Sequence, residues 1–337
     1  MTPALMVLEA GPSSTIQDAG RYGFLRYGVS TAGPCDTLLH AIANRLVGNS
    51  IDTAIIEFTL KGDRYKVAAD SVRLAIAGDV AVDIDGAKVP SWRAYTLHEG
   101  QILSIGYVTR GVRGYLAVAG GYDLSLALGS LSIHVRSGIG PLGGGAIKSD
   151  TVIPIKLSSA PAIPEQELDV SVLPDYTGEL RVVLGPQEQH FSADDVTRFT
   201  QSPFIVTPKC DRMGYQLSGP KIDYRRDRPL ISEGIALGSV QVPGDGLFIV
   251  ALVDRQTAGG YPKIATVIGP DIRHITQTRP SATIRFQPIT VAEARAASQD
   301  YAAFINRLDD HLRSPDHAFS SEALLAKNLI SGVFFDS

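Results

Sequence analysis

Short runs of β-branched and other apolar residues, interrupted every few positions by Gly or Pro, recur along most of the chain. Examples are YKVAADSVRLAIAG, VAVDIDGAKV, GYLAVAGGY, ELRVVLG, LFIVALVD and ATIRFQPI. Such side chains suit the pleated, half-buried surface of a strand, and turn signals at this frequency are typical of barrels and sandwiches rather than of βαβ units. The pattern therefore predicts a mainly β fold, with a hairpin turn at Asp85-Gly86.

A few segments show a helical period instead. In CDTLLHAIANRLVGN, Asp36 is an N-cap signal and Gly48-Asn49 is a stop signal. The apolar positions on one face of this predicted helix are Leu38, Leu39, Ile42, Ala43 and Leu46. In SADDVTRF, Ser192 predicts a second, short helix near residues 193–200.

The C-terminal segment also has a helical composition. From Thr290 it is rich in Ala, Glu, Arg and Gln and contains few helix breakers, which predicts a helix to about Arg313. A second short helix is expected to begin at Ser320 or Ser321 and to cover EALLAKNLI.

Length and linker composition indicate more than one domain. The 337 residues, 44% of them hydrophobic, exceed the size of one typical core. The segment KLSSAPAIPEQELDVSVLP, residues 156–174, is rich in turn formers and has no clear periodicity. We therefore expect an N-terminal β domain over residues 1–160, a C-terminal β domain over 161–290 and a helical tail over 291–337.

Charge, hydrophobic run length and cysteine content exclude several classes of protein. The 31 basic and 35 acidic residues are scattered and give a net charge of -4, so the charge footprint of a nucleic-acid-binding protein is missing. No segment approaches the roughly 18 apolar residues that a membrane helix needs, and the N-terminus does not resemble a secretory signal. A cytoplasmic protein that acts on a small organic substrate, or binds a protein partner, is expected. Cys35 and Cys210 are expected to be free thiols, and no metal site is expected.

Polar clusters at strand ends and in glycine-rich turns are the candidate site. A continuous apolar run such as residues 247–253 is covered on both faces, so the residues that end it emerge at a rim where a pocket can open. The predicted catalytic residues are Asp211, Arg212, Asp254, Arg255 and Lys263. The predicted substrate-binding residues are Gln17, Asp18, Arg21, Glu233, Gln241, Gln256, Gly259, Gly260 and Tyr261.

These residue types suit an amide substrate and a developing negative charge. Gly259 and Gly260 allow close backbone approach to a ligand and can turn N–H groups toward an anion. Gln17, Gln241 and Gln256 supply the mixed donors and acceptors that orient an amide or ureido group. The structural alternative is that each cluster is only a salt bridge or a hairpin turn, as is common in β proteins.

Five of these blocks resemble the biotin-dependent carboxyltransferase family: TIQDAGRYGFLRYGVSTAGPCD, RGVRGYLAVAGGYD, CDRMGYQLSGP, SEGIALGSVQVPGDG and DRQTAGGYPKIATVI. The family includes the carboxyltransferase part of urea carboxylase, allophanate hydrolase subunit 2, the Kip inhibitor antagonist and the C-type subunit of 5-oxoprolinase. The resemblance runs from about residue 7 to 290. It implies two cyclophilin-like β-barrel units with a few short helices, a partner protein of similar barrels, and a substrate with an amide or urea group.

The resemblance first implies a component of an ATP-dependent 5-oxoprolinase, a lactam hydrolase that converts 5-oxoproline to glutamate. This chain alone would bind no cofactor, and ATP would come through a partner. The expected partners are a smaller barrel protein, of the B-type 5-oxoprolinase or allophanate hydrolase subunit 1 kind, and a lactam-utilisation protein. Arg212, Arg255 and Lys263 would stabilise the developing negative charge. Asp211, Asp254 or Glu233 would transfer protons.

Two alternatives remain at this point. In the first, carboxybiotin on a separate carrier chain transfers its carboxyl group to urea or a related amide, since the sequence contains no Met-Lys dipeptide for biotin attachment. In the second, the chain is a regulatory protein that binds a partner and needs an exposed apolar face more than a charged pocket.

Overall fold

The computed structural model describes residues 2–224, 231–244 and 247–315. The strands of the first half are β1 Ala4–Glu9, β2 Ser14–Gln17, β3 Ile55–Thr59, β4 Arg64–Ala68, β5 Ser71–Ile84, β6 Ala87–Val89, β7 Arg93–His98, β8 Ile102–Val118, β9 Val152–Pro154 and β10 Glu167–Leu168. The strands of the second half are β11 Glu179–Leu184, β12 Phe204–Cys210, β13 Gly214–Ser218, β14 Glu233–Gly234, β15 Ser239–Gln241, β16 Phe248–Ala251, β17 Ala258–Gly259, β18 Lys263–Val267, β19 Thr283–Pro288 and β20 Leu312–Arg313. The α-helices of the described residues are α1 Thr37–Leu46, α2 Ala193–Gln201, α3 Ile272–Thr276 and α4 Val291–Asn306, and several short 3₁₀ helices lie between these elements. The mainly β prediction is confirmed.

The N-terminal unit is an 11-stranded sheet. Its pairing order is β20-β10-β7-β5-β8-β4-β1-β9, with β3 on β8, β2 on β3 and β6 on β5. The predicted hairpin at Asp85-Gly86 is confirmed, because it joins the antiparallel strands β5 and β6. Within the described residues this pairing path does not close on itself, so the strand pairing of this unit differs from that of the C-terminal barrel.

Alternation along β5 explains how this sheet is covered on both faces. Val72, Leu74 and Ile76 pack into one core cluster, whereas Ala75 and Ala77 pack into a second cluster that contains α1. The small Ala side chains leave room for a helix to approach the sheet closely. The large side chains of SVRLAIAG therefore pack on one face of the sheet, and its alanines leave room for the helix on the other face.

Helix α1 forms where the sequence predicts it. The Asp36 side chain accepts hydrogen bonds from the backbone N–H of Leu38 and Leu39, and Gly48 follows the last turn with a φ of 76°. All five predicted apolar positions are buried, and so are His40 and Asn44. The helix is therefore buried on more than its apolar face, because it lies between the N-terminal sheet and later segments of the chain.

The C-terminal unit is a closed barrel in the order β11-β18-β15-β16-β13-β12-β19. The barrel closes through the parallel pairing of β11 and β19. Helix α2, capped by Ser192 as predicted, places Phe199 on the barrel core, where its ring stacks on Phe286 at 4.5 Å between centroids. Phe204 and Phe248 complete this aromatic cluster. The C-terminal barrel expected from the resemblance is thus confirmed.

The tail differs from its prediction. Helix α4 begins with a capping box between Thr290 and Glu293 but ends at Asn306 rather than near Arg313. A short 3₁₀ helix then buries Leu308 against the α1 cluster, and β20 pairs with β10. Tertiary packing on the N-terminal sheet therefore ends the helix. The predicted second helix, over EALLAKNLI, lies outside the described residues.

Part of the segment predicted as a linker, residues 156–174, belongs to the N-terminal unit. Leu168 packs with the N-terminal core and Leu180 with the barrel core. Strand β10 lies within the range predicted for the second domain, yet it pairs with β7 of the N-terminal sheet. No helix in the described part of the chain combines the length and apolar character that crossing a membrane requires.

Candidate functional site

The predicted polar clusters meet in two neighbouring places. One is a cleft of about 690 Å³ on the barrel, which we call the outer cleft. The other is a buried group of charged side chains between the N-terminal sheet and the barrel, which we call the inter-unit network. Its central members are Glu57, Arg212 and Asp254.

Strand alternation builds the floor of the outer cleft. On β13, β15 and β16, one set of side chains points into the barrel core, and the alternate set faces outward. The outward-facing residues that line the cleft are Gly214, Gln216, Gln241, Ile249 and Ala251. The cleft therefore lies on the outer face of the barrel wall, whereas the strand-end position of the polar clusters predicts a pocket at the barrel rim.

The two-stranded sheet of β14 and β17 borders the cleft on another side. Gly259 of β17 lies against Gln241, because a Cβ added to Gly259 would be 3.3 Å from Gln241 Nε2 and 2.8 Å from Ile235 Cδ1. A larger residue at this position would push into the space between the two-stranded sheet and the cleft floor. Gly259 therefore allows the two-stranded sheet to approach Gln241 of the cleft floor closely, so the close approach is within the protein and not to a ligand.

Seven of the predicted site residues line the outer cleft. They are Asp211, Gln241, Arg255, Gln256, Gly259, Gly260 and Tyr261. The sequence did not indicate Arg136, which the N-terminal unit contributes, or Lys209, which lies just before the Asp211 cluster. The lining carries three cationic side chains, Arg136, Lys209 and Arg255, against one carboxylate, Asp211. The cleft is therefore suited to an anionic ligand.

Arg255 is the most enclosed of these cations, with 7% of its surface exposed. Its Nε donates to the Ile235 carbonyl at 2.8 Å, and its Nη1 donates to the Leu252 carbonyl at 3.3 Å. Burial lowers the pKa of Arg255, but the ordinary value of an arginine is so high that the group stays charged.

Lys263 lies behind the cleft rather than in its lining. It pairs with Gln241 across β15 and β18, and 3% of its surface is exposed. Its Nζ is 3.5 Å from Glu233 Oε2 and makes no hydrogen bond to the described residues. Glu233 also accepts a hydrogen bond from Gln187 Nε2 at 2.9 Å. The predicted Lys263 and Glu233 therefore form a pair beside Gln241.

Asp211 holds the turn between β12 and β13. Its Oδ1 accepts the backbone N–H of Met213 at 2.7 Å and that of Gly214 at 3.2 Å. The side chain is exposed at the edge of the cleft. Asp211 can therefore shape the cleft and still present a carboxylate to it.

Arg212 is a different case, and the structure corrects its predicted role. Its Nε and Nη2 bind both carboxylate oxygens of Asp254, at 2.9 and 3.0 Å. Its Nη1 reaches Glu57 Oε1 at 2.5 Å and Cys35 Sγ at 3.5 Å, and its Nη2 also reaches the Gly33 carbonyl at 2.7 Å. These five contacts use the five N–H groups of a guanidinium. Arg212 has no donor left for a substrate, and Asp254 has both oxygens occupied, so neither can act on a ligand in the predicted way.

Glu57 is the residue around which the network forms. Its Oε2 accepts hydrogen bonds from the Cys35 backbone at 2.8 Å and from Tyr115 Oη at 2.7 Å, and Arg113 Nε lies 3.6 Å from Oε1. Burial alone would raise the pKa of Glu57, but Arg212 and Arg113 outweigh it and hold the pKa below its usual range. A single carboxylate thus joins loops of the N-terminal unit to the barrel.

The same carboxylate raises the pKa of its cationic neighbour. Burial would lower the pKa of Arg212, but Asp254 and Glu57 together raise it well above its usual value.

Burial raises the pKa of the Cys35 thiol to about 12. Cys35 is therefore a buried free thiol rather than a nucleophile.

The TIQDAGRYG cluster lies in the N-terminal unit beside the network. Gln17 is fully buried and its amide bonds to Thr15, to the Ile133 carbonyl and to the Gly33 N–H, so a substrate contact is not open to it. The Asp18 side chain accepts four hydrogen bonds, from two serine hydroxyls and two backbone N–H groups. These predicted substrate-binding residues therefore fix loops instead.

Arg21 follows the same pattern. It donates to the carbonyls of Ala127 at 2.9 Å and Ser132 at 2.8 Å and is 1% exposed. The structure does not bring it to the outer cleft lining. Its neighbour Tyr22 lies close enough to Arg255 to influence the pKa of that residue, so the Arg21 loop borders the cleft without lining it.

Sequence reasoning missed the residues that join the two units. Glu57 lies in the apolar strand IIEFT, where a carboxylate in a buried run is itself a signal of a paired charge. Gln277 follows the short helix α3, which has no clear sequence period; its amide bonds to Asp36, Arg113 and Val112 of the other unit. Arg136 lies in a short 3₁₀ helix, Val135–Ser137, with no pattern that would single it out. Among the described residues, no group of three or more His, Cys, Asp or Glu side chains is placed to hold a metal ion.

Comparisons with known proteins agree with this architecture. A family model described as "Carboxyltransferase domain, subdomain A and B" matches residues 27–288. The chain is 35% identical to the C-type subunit of 5-oxoprolinase from Escherichia coli, over 90% of this chain and 97% of that protein. It is 30% identical to the protein of the same name from Haemophilus influenzae, over 90% of this chain and 98% of that protein.

A similar solved structure is the urea carboxylase of Kluyveromyces lactis. It superimposes with a TM-score of 0.85 at 26% identity, over 96% of this chain. The matched part is 30% of the urea carboxylase chain. The present chain therefore spans under a third of that enzyme, whereas it spans nearly all of the two bacterial relatives.

Proposed function

Because the chain belongs to the carboxyltransferase domain family, we propose that it is the C-type subunit of an ATP-dependent 5-oxoprolinase. The observation that carries the proposal is the near full-length match to two proteins of that name. The outer cleft supports it, since amide and cationic side chains line one cavity.

The proposed reaction opens a lactam. ATP, supplied through a partner protein, transfers its terminal phosphoryl group to the lactam oxygen, which makes the ring carbon more electrophilic. A water molecule adds to that carbon, and the C–N bond breaks as the nitrogen takes up a proton. A second water molecule hydrolyses the resulting acyl phosphate, so the products are glutamate, ADP and phosphate.

Side chains in the cleft lining and directly behind it suit three roles in this reaction. Gln241 and Gln256 offer donors and acceptors to the lactam amide. Lys263, which is buried behind Gln241, would act through the positive charge it places at this wall of the cleft, where negative charge develops on the reacting carbon and phosphoryl oxygens. Asp211 and Glu233 are the predicted carboxylates available for proton transfer, because Asp254 is paired with Arg212.

Exposed apolar side chains beside the cleft support a partner protein. Tyr22 and Tyr27 are 72% and 65% exposed, and Leu126 of a neighbouring loop is 63% exposed. The Arg21 contact with the Ala127 carbonyl ties these two loops together. Large exposed apolar side chains concentrated in one area are typical of a protein-binding surface. We propose that the smaller barrel partner binds there and covers the cleft.

The test is turnover of the complex formed by this chain and its partner proteins. We expect ATP hydrolysis that depends on 5-oxoproline, and we expect Lys263→Met to lower kcat about 100- to 1,000-fold, the usual effect of removing one group that stabilises a transition state. Lys221→Met is the matched control, because Lys221 is exposed on the barrel and its Nζ lies 3.3 Å from Asp223. Unchanged turnover of K263M in an intact complex would remove Lys263 from the reaction.

The carboxyltransferase alternative has its own support in the superposition on urea carboxylase. In that reaction a separate carrier would bring carboxybiotin to the same cleft. Fixation of labelled bicarbonate that avidin abolishes, without hydrolysis of 5-oxoproline, would favour this alternative over the first proposal.

A further inference from the structure

Arg255 is a buried cation that the described residues do not neutralise. No carboxylate of these residues lies within salt-bridge distance of it, whereas the neighbouring Arg212 contacts two carboxylates. A buried, unneutralised charge is costly to fold unless something compensates it. Its position in the cleft lining suggests that the compensating group is a bound anion.

The contacts of Arg255 hold its guanidinium in one orientation. Nε and Nη1 bind the carbonyls of Ile235 and Leu252, which belong to two different segments of the barrel unit. Nη2 makes no hydrogen bond to the described residues, and it is not among the buried unpaired atoms, so the cleft solvent reaches it. A fixed guanidinium with an open edge is suited to a carboxylate.

Gln241 provides the second, independent feature. Only 7% of its surface is exposed, yet its amide makes no hydrogen bond within the described part of the chain. Its amide is not among the buried unpaired atoms either, so it faces the cleft. A ligand that satisfies both residues carries an anionic group and, elsewhere, an amide.

We propose that Arg255, supported by the charge of Lys209, binds the ring carboxylate of the lactam substrate while Gln241 binds its amide. This inference rests on the proposed function and specifies its substrate class as cyclic amides that carry a carboxylate. Urea and other neutral amides lack the group that Arg255 would bind. Arg255 is thereby a specificity-determining residue rather than one that stabilises charge developing in the reaction.

The proposal predicts a particular kinetic pattern. The carboxylate is already charged in free 5-oxoproline and does not take part in ring opening, so Arg255 contributes equally to ground state and transition state. Loss of such an interaction raises KM and leaves kcat nearly unchanged. We expect Arg255→Gln to raise KM and the dissociation constant for 5-oxoproline about 10- to 100-fold. Arg255→Lys, which keeps the charge but loses the planar fork, should give a smaller increase.

The experiment combines calorimetric binding by the full-length chain with steady-state kinetics of the complex. The probes are 5-oxoproline, 2-pyrrolidone, which is the same lactam without the carboxylate, and inorganic phosphate. The matched control is Arg285→Gln, because Arg285 is exposed on the same barrel outside the cleft and donates to the Gln201 carbonyl. Wild-type protein should bind 5-oxoproline at least about 10-fold more tightly than 2-pyrrolidone, a result that does not depend on the folding of any variant.

The outcomes separate this inference from the proposed function. Equal binding of the two lactams, or a fall in kcat with unchanged KM in a folded R255Q complex, would overturn the carboxylate assignment while 5-oxoprolinase activity stands. Arg255-dependent binding of phosphate but not of 5-oxoproline would also overturn it. Arg255-dependent binding of 5-oxoproline by a complex that does not hydrolyse it would support the carboxylate site and contradict the proposed function.

Discussion

Asp254 and Arg255 are adjacent in the sequence but belong to two regions with opposite hydrogen-bonding states. In the inter-unit network, both oxygens of Asp254 and all five N–H groups of Arg212 have partners within the protein. In the outer cleft, Arg255 keeps an open edge and the Gln241 amide has no partner among the described residues. The network therefore holds structure, and the cleft is left available for a ligand.

This difference gives a rule for interpreting polar clusters at strand ends. A polar group whose donors and acceptors are used within the protein holds structure, whereas a group that keeps a free donor or acceptor facing a cleft is open to a ligand. By this measure Arg212, Asp254, Gln17 and Asp18 are structural. Arg255 and Gln241 remain candidates for binding.

The largest expected effect comes from breaking the network. Arg212→Met would leave Asp254 buried without its partner and would remove a partner of Glu57. We expect the free energy of unfolding to fall by about 3 to 5 kcal/mol, the usual cost of removing one member of a buried ion pair. Equilibrium urea unfolding, followed by circular dichroism, measures this change.

The control for this variant is Arg285→Met on the exposed side of the barrel. It removes the same charge from the same unit and should change stability by less than about 0.5 kcal/mol. If R212M costs no more than this control, the network does not join the two units as the contacts indicate.

The second effect is a loss of stability at acid pH, which comes from a buried histidine beside the inter-unit network rather than from the cleft. Burial lowers the pKa of His40 from 6.5 to about 4, despite the opposing influence of Glu57, Asp18 and Asp52. Between these two pH values the unfolded chain binds a proton that the folded chain does not, so stability falls as the pH falls from 6.5 to about 4. The full shift corresponds to about 3 kcal/mol. Unfolding measured at several pH values tests this.

His40→Gln should reduce this pH dependence. Part of the pH dependence should remain, because the pKa of His274 is also lowered. Burial is the larger cause of that shift, and the charge of Arg273 is the next. His98→Gln is the control, since His98 is exposed. A slope of stability against pH that is the same in H40Q and wild type would show that His40 is not buried in its neutral form.

The smallest stability effect, and the sharpest contrast with R212M, is expected from the cleft. Gln241→Leu removes an amide that makes no hydrogen bond to the described residues, and it adds an apolar group of similar size. We expect the free energy of unfolding to stay within about 0.5 kcal/mol of wild type or to increase slightly. Binding of 5-oxoproline should weaken about 10-fold, because one hydrogen-bonding group is lost. A large loss of stability would instead make Gln241 a structural residue.

Several elements could be predicted because their signals are local. Helix α1 follows from the Asp36 cap and the apolar period, and α2 follows from the Ser192 cap. The helical tail was predicted too long because its composition does not record that Leu308 packs against the α1 cluster. Helix α3, only five residues long, carries no period, so the contact of Gln277 with Asp36 could not be anticipated.

In the candidate site, too, some features could be predicted from local residue types and others depend on distant segments. The strand-end position of Arg255, the close approach at Gly259 and the clustering of Gln241 with Tyr261 follow from residue types beside apolar runs. Whether Arg212 faces a ligand or a carboxylate is decided by Glu57, which lies 155 residues earlier in the chain. No local pattern reports on such a partner.

The sequence alone determined the mainly β character, the capped helices and the segments in which chemistry-bearing residues are concentrated, because alternation, capping and turn formation depend on near neighbours. The tertiary structure decided which of those residues are bound within the protein and which remain open to a ligand. It also placed the cleft on the outer wall of the barrel and brought Arg136 to it from the other unit. The physical reason is that burial and pairing of a polar group depend on segments that are distant in the chain and meet only in the folded protein.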